Sequence, residues 1–250
     1  QYVFDTFTSM DGDIRAVLGD VGMPATLSNA DTITGNIGND ILKGFGGNDT
    51  IDGGTGVDTV VYTGTKSQYV ITAQSNNSYL ISDTVAGRDG SDTVINTEFA
   101  QFSDQSAPLV TGTFYKWSTL TSGQTISFNP LTDKLYFDDL TISAAWVALG
   151  WTGNVSTKIS PYSTNSVTLL TDMRTLTTSN IMFASGGLFQ IGDNSVSALA
   201  DESGNIMTGS PKDDRFYGFG GNDIINAGDG NDYISFVSTD VSIGNDTIRT

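Results

Sequence analysis

The sequence contains neither cysteine nor histidine. Without thiols there is no disulfide, no cysteine nucleophile and no thiolate zinc site; without imidazole there is no Ser-His-Asp triad and no histidine general base. Basic residues are scarce, 11 Lys and Arg against 28 Asp and Glu, giving a formal net charge of −17. That balance excludes a nucleic-acid partner, whose phosphates need cationic contacts, and it disfavours an anionic membrane surface. Cations are the natural partners of such a chain. Long apolar runs are missing too. The longest, ISAAWVALGW at 142–151, falls far short of the roughly 20 residues a membrane helix needs, so no membrane insertion is expected. Glutamate is almost absent, at Glu98 and Glu202 only, so the acidity is nearly all aspartate. A helical surface would prefer Glu, whereas Asp suits turns and hard cations. With 250 residues the chain is long enough for one large all-β domain or two smaller ones, each with an apolar core.

What is present is a period of nine. Aligned on Asp, residues 26–61 read TLSNADTIT, GNIGNDILK, GFGGNDTID and GGTGVDTVV, with Asp31, Asp40, Asp49 and Asp58 in strict phase. Two positions after each stands an aliphatic residue: Ile33, Leu42, Ile51 and Val60. Residues 209–235 repeat the pattern as GSPKDDRFY, GFGGNDIIN and AGDGNDYIS, carrying Asp214, Asp223 and Asp232 with Phe216, Ile225 and Ile234. A degenerate copy precedes them, with Asn205 in the Asp position and Met207 in the apolar one. After a five-residue insertion Asp246 and Ile248 resume the phase. A flexible Gly-rich linker has no reason to keep Asp and an aliphatic residue in register.

Glycine at the first, second and fourth positions suits turns that need positive φ, and the three residues after each Asp suit a short strand whose middle side chain points inward. One turn and strand make half a coil, so repeats i and i+2 stack. Parallel strands about 4.8 Å apart then place Asp31 above Asp49 and Asp40 above Asp58. Calcium takes six to eight oxygens at about 2.3–2.6 Å. A carboxylate from each of two stacked turns, with turn carbonyls, can supply that shell. One inward aliphatic side chain per nine residues is too little apolar area to offset backbone ordering of about 1–2 kcal/mol per residue, so folding should be coupled to the metal.

These blocks resemble the GGxGxDxUx nonapeptides of the RTX (repeats-in-toxin) family, a calcium-binding β-roll repeat. The resemblance implies Ca2+ as cofactor, in several ions. It implies metal ligation by Asp31, Asp40, Asp49, Asp58, Asp214, Asp223, Asp232 and Asp246, with turn positions Gly35, Ile37, Asn39, Gly44, Gly46, Asn48, Gly218, Gly220 and Asn222 completing the shells. Asp52 and Asp229 lie out of phase and read as solvated, and Asp213 competes with Asp214 for its position.

The expected fold class is all-β, with calcium-binding parallel β-roll blocks flanking an antiparallel β unit. Residues 1–25 form an N-terminal segment with a short helix at DIRAVL, capped by DGD at 11–13. Roll block I covers 26–62, and strand-like alternation over 63–108 reads as a region capping that roll. Residues 109–200 are expected to form the antiparallel unit, with a short helix near ISAAWVAL, and 201–250 form roll block II. The pair Asp138–Asp139 reads as a solvated turn. No nucleophile motif, phosphate loop or singled-out carboxylate pair appears, so no enzyme activity is expected.

Two functions fit. The first is a secreted structural protein of the extracellular space or bacterial cell surface, folding on calcium and joining head-to-tail with copies of itself into a layer, filament, matrix or adhesin. The second is a non-catalytic calcium-binding segment of a larger enzyme or toxin, which the resemblance associates with type I secretion.

Overall fold

The computed structural model describes residues 30–75, 78–151, 156–161, 165–192, 204–235 and 245–249. The helix expected at 13–18 lies outside the described residues. The chain divides into two units, Gln1–Thr111 and Gly112–Thr250.

The first unit holds β1 (Thr32–Thr34), β2 (Ile41–Leu42), β3 (Thr50–Asp52), β4 (Thr59–Val61), β5 (Tyr69–Ala73), β6 (Ser78–Asp83), β7 (Ser91–Ile95), β8 (Phe99–Gln101) and β9 (Ser106–Pro108). Odd and even repeats fall on two different sheets. β1 pairs in parallel with β3, and β3 with β7; β2 pairs with β4, and β4 with β8. Thr32 faces Thr50 and Ile41 faces Thr59, so equivalent positions of repeats i and i+2 are in register. The residue two positions after each column carboxylate turns inward: Leu42, Ile51, Val60, Val94 and Ala100 are fully or almost fully buried. The parallel ladder stops where β6 runs antiparallel to β7 and β9 antiparallel to β8, with β5 completing the hairpin. Beside that end the rings of Tyr62, Tyr69 and Phe102 cluster, with centroids 5.0–5.6 Å apart.

The second unit begins with β10 (Phe114–Lys116), β11 (Thr125–Ile126), β12 (Lys134–Phe137), β13 (Val147–Trp151), β14 (Thr157–Pro161), β15 (Val167–Leu169) and β16 (Ile181–Phe183). Among the described residues, the antiparallel arrangement expected for 109–200 is found only in the β13–β14–β15 meander; β10–β12–β16 and β11–β15 pair in parallel. The reason is physical. Alternation of side chains fixes which face is buried, whereas strand direction follows from the length of the connections. Phe114 pairs with Lys134, 20 residues on, which is close to one full coil of the roll. The short helix expected near ISAAWVAL is a single 3-10 turn, Ala144–Trp146, that runs directly into β13. There, ladder hydrogen bonds to β14 replace helical ones.

The unit continues with β17 (Phe189–Ile191), β18 (Ile206–Thr208), β19 (Arg215–Tyr217), β20 (Ile224–Asn226), β21 (Tyr233–Ser235) and β22 (Thr247–Arg249). All their pairings are parallel, in sheets β17–β19–β21 and β18–β20–β22. An aromatic spine, Trp117–Phe137–Phe183–Phe189–Tyr217–Phe219, runs through the core with successive centroids 4.6–6.4 Å apart. A smaller apolar line, Met207, Ile225 and Phe216, fills the last coils.

Candidate metal centre

Each turn has a strained and crowded backbone that its sequence explains. The fourth position is left-handed where it is glycine, at Gly38, Gly47, Gly56, Gly221 and Gly230, with φ between 96° and 146°, but not where it is Lys212. The second position is also left-handed where it is Gly54 or Gly228, and even where it is Phe45 or Phe219. The first glycine is needed for space instead. A Cβ on Gly35 would run into the carbonyl oxygen of Gly53 and stand 2.6 Å from Oδ2 of Asp40.

This tight stacking brings the in-phase carboxylates into columns. The N–H of Asp31 donates to Oδ1 of Asp49 (2.8 Å), and the N–H of Asp40 to Oδ1 of Asp58 (2.8 Å). In the second unit Asp214 N–H donates to Asp232 Oδ1 and Asp223 N–H to Asp246 Oδ1, both at 2.9 Å; the latter pair spans the five-residue insertion. Asn205 takes the Asp place in its copy, with its N–H bonded to Asp223 Oδ1 at 2.9 Å. One oxygen of each acceptor carboxylate is thus used by the stack. The second oxygen of Asp40, Asp49 and Asp58 lies beside the first glycine of its own turn, and in Asp40 it accepts from Asn36 N–H at 2.8 Å. Oδ2 of Asp49, Asp58 and Asp223 is buried without a hydrogen-bond partner, and those three residues are at most 2% exposed.

A buried oxygen of this kind is costly unless a cation meets it. Burial pushes the Asp49 carboxyl up to about 6 and, with the neighbouring Glu98 charge, pushes Asp58 up to about 9; burial carries Asp214 to about 7. Asp223 and Asp232 move upward for the same reason. An oxygen-only donor set with orphaned carboxylate atoms is what a hard divalent cation fits. Among the described residues no three acidic side chains meet at one point, so a cation here would need oxygens from the turns beside the column carboxylates.

The positions before the Asp do other work. Oδ1 of Asn39 accepts from Val57 N–H, Asn48 from Ser91 and Asn222 from Asn245, at 2.8–2.9 Å, which makes a second ladder of neutral amides. Gly35, Ile37, Gly44, Gly46, Gly218 and Gly220 lie in the same turns and offer backbone only. Asp213 joins the amide ladder by accepting from Asn231 N–H; Asp214 keeps the place in the carboxylate column, but both its oxygens are engaged, by the Leu188 N–H and by the N–H and hydroxyl of Ser210. Asp52 accepts from Gly54 N–H and the Asn96 amide. Asp138 holds Ser118, and Asp139 closes a turn onto Thr141.

Two acidic residues not foreseen as site residues join the columns. Residues 87–95 read GRDGSDTVI, a further nonapeptide of the same pattern whose Asp92 accepts from Asp49 N–H at 2.9 Å, and whose Gly90 is left-handed at φ 84°. Its Gly, Asp and Val spacing was visible, but the preceding hairpin separates it from the block. Asp92 is 1% exposed and burial lifts its carboxyl to about 7. Glu98 likewise accepts from Asp58 N–H at 2.9 Å.

A two-sheet parallel roll with a carboxylate column in its turns defines a calcium-binding β-roll. Residues 27–60 and 199–234 match the RTX calcium-binding nonapeptide repeat family in four copies, so the chain carries RTX repeats. Among solved structures, the extracellular lipase LipA from Serratia marcescens is similar over 62% of this chain at 16% identity and a TM-score of 0.21. This chain spans 38% of that lipase. No curated protein sequence matches the chain.

Proposed function

We propose that the protein is a secreted, non-catalytic structural element that folds on calcium outside the cell and stacks head-to-tail with copies of itself. The observation that carries this reading is the polarity of the column. Every N–H donates to the carboxylate of a later repeat, so one end of a roll offers acceptors and the other offers donors. Asp232 and Asp246 supply the next N–H groups in line, and β21 and β22 each have one strand partner among the described residues. An edge strand is a template for another chain, and a donor end meeting an acceptor end is a heterologous contact, which propagates. Extracellular calcium near millimolar would fill modest-affinity sites of about 0.1–1 mM, whereas cytoplasmic calcium would leave the acidic chain unfolded for export.

The test is light scattering of the purified chain while calcium is raised from chelator to several millimolar. Growth to large particles that chelator reverses supports assembly. A particle that compacts and stays monomeric overturns assembly and favours a calcium-binding segment of a larger secreted enzyme or toxin.

A further inference from the structure

In the body of roll I the first position of a repeat lies five residues before its Asp, as in Gly53 and Asp58. The carbonyl of Gly53 abuts Gly35, beside Oδ2 of Asp40. One coil further on, the carbonyl of Asn96 abuts Gly53 in the same way, and Oδ2 of Asp58 lies 2.7 Å from the point a Gly53 Cβ would occupy. Asn96 therefore stands in the first position of a closing half-coil, and it adopts the left-handed backbone (φ 47°) that lets the chain turn sharply. The carboxylate of that half-coil follows only two residues later, at Glu98, because three turn residues are missing. Register is nevertheless kept: Phe99 pairs with Thr59 and Ala100 with Val60.

Glutamate spans the deletion. Its extra methylene carries the carboxylate to where an Asp on a full turn would put it, so that Oε2 accepts from Asp58 N–H at 2.9 Å, matching the Asp40 to Asp58 bond of 2.8 Å. Glu98 is 5% exposed and Asp58 wholly buried, and Asp58 Oδ2 has no hydrogen-bond partner in this pocket. We infer that Asp58 and Glu98 form a closing divalent-cation site, with turn carbonyls, whose Glu98 lies beyond the residues matched by the RTX repeats. This rests on the calcium reading of the column. The site ties the hairpin-bearing end of the unit to the roll, so that the last coil and its cap order together on metal.

The decisive measurement is anomalous X-ray scattering from crystals of the full chain grown in calcium. A peak between Asp58 Oδ2 and the Glu98 carboxylate is expected beside peaks on the earlier pairs. Peaks on the earlier pairs with none here overturn the inference while leaving the repeat reading intact; no peak anywhere sinks both. In solution, Glu98→Gln keeps the acceptor for Asp58 N–H and removes the charge. Equilibrium dialysis should then find one calcium fewer per chain, and an unchanged count would contradict the assignment. If that variant fails to fold, the scattering from the native chain decides alone.

Discussion

Two stretches of the molecule build the same parallel coil with different glue. In residues 31–101 the turns carry a column of carboxylates, and each half-coil adds only one inward aliphatic such as Leu42, Ile51 or Val60. In residues 112–192 the column is reduced to Asp133, with both oxygens already taken by backbone N–H groups: Thr113 at 2.7 Å and Asn129 at 2.9 Å. The next coil there carries Asn180, a neutral amide that holds the carbonyls of Pro130 and Thr175. Instead of metal, that stretch has Trp117, Phe137 and Phe183 stacked at 4.6 Å intervals, and each buried aromatic removes about 150–250 Å² from water. The backbone shape does not require calcium. It requires something to fill the space or neutralise the charge between coils, and each stretch uses one of the two.

Chelation should therefore separate them, with the largest effect of any perturbation. Removing calcium leaves buried, like-charged carboxylates at Asp49, Asp58, Asp92 and Asp223 uncompensated, so the rolls should lose most of their far-ultraviolet circular dichroism. The Trp117 environment should stay ordered, seen as retained near-ultraviolet dichroism. Loss of both signals at one calcium concentration would show that the aromatic coil also depends on the metal.

The converse perturbation is Phe137→Ala. Phe137 is completely buried between Trp117 and Phe183, and its truncation should cost about 3–5 kcal/mol. Urea melts in chelator should then show no residual cooperative transition, while calcium-driven folding of the first unit persists. A melt like that of the parent chain would mean the spine is not the support of this stretch.

How far these two stretches could be read from the chain follows from where the constraint lies. In the rolls it is local: left-handed turns demand glycine at fixed positions and the column demands Asp, so the period of nine is visible without neighbours. Asp92 shares that signature and was hidden only by the β5–β6 hairpin before it. Glu98 was not legible, because its position makes sense only once Asn96 is seen to replace the start of a shortened turn. The parallel coil of 112–192 was not legible either. Leu135 pairs with Ile181 across 46 residues and a meander, and nothing in alternating apolar residues states that distance or direction. Arg215 is a similar case: it is buried after Asp214 and stacked on Tyr217 and Tyr233, an environment supplied by tertiary packing alone.

Single charge removals should act on one side of the comparison only. Asp58→Asn keeps an oxygen for Asp40 N–H but removes the orphaned anionic atom, so the calcium midpoint for folding the first unit should rise about tenfold, equivalent to about 1.4 kcal/mol. The near-ultraviolet signal of Trp117 should not move. An unchanged midpoint would remove Asp58 from the ligand set.

Acid should partly replace calcium, but only in the rolls. The raised carboxyls, at about 6 for Asp49, about 7 for Asp92 and Asp214 and about 9 for Asp58, mean that the metal-free folded state binds more protons than the unfolded one. Their contribution to folding is therefore full below the ordinary carboxyl value near 4 and is lost as pH rises through 6 to 9. In chelator, roll dichroism should be greater at pH 5 than at pH 8. In saturating calcium the order reverses, since ligands must be ionised. Identical chelator spectra at the two pH values would mean that the column carboxylates do not oppose folding.

The smallest effect is expected from Asn48→Ala, and it sharpens what the column is. Asn48 Oδ1 accepts from Ser91 N–H at 2.9 Å on an exposed rung, a neutral side-chain to backbone bond worth about 1 kcal/mol. Its loss should loosen the join between the third repeat and the strand carrying Asp92. Because the oxygen is spent on that bond rather than aimed into the turn, the number of calcium ions should stay the same while the folding midpoint rises less than for Asp58→Asn. Calorimetry with both variants separates the roles: an Asn48→Ala chain that binds fewer ions would move the amide ladder into the metal site, and the two ladders would then be one.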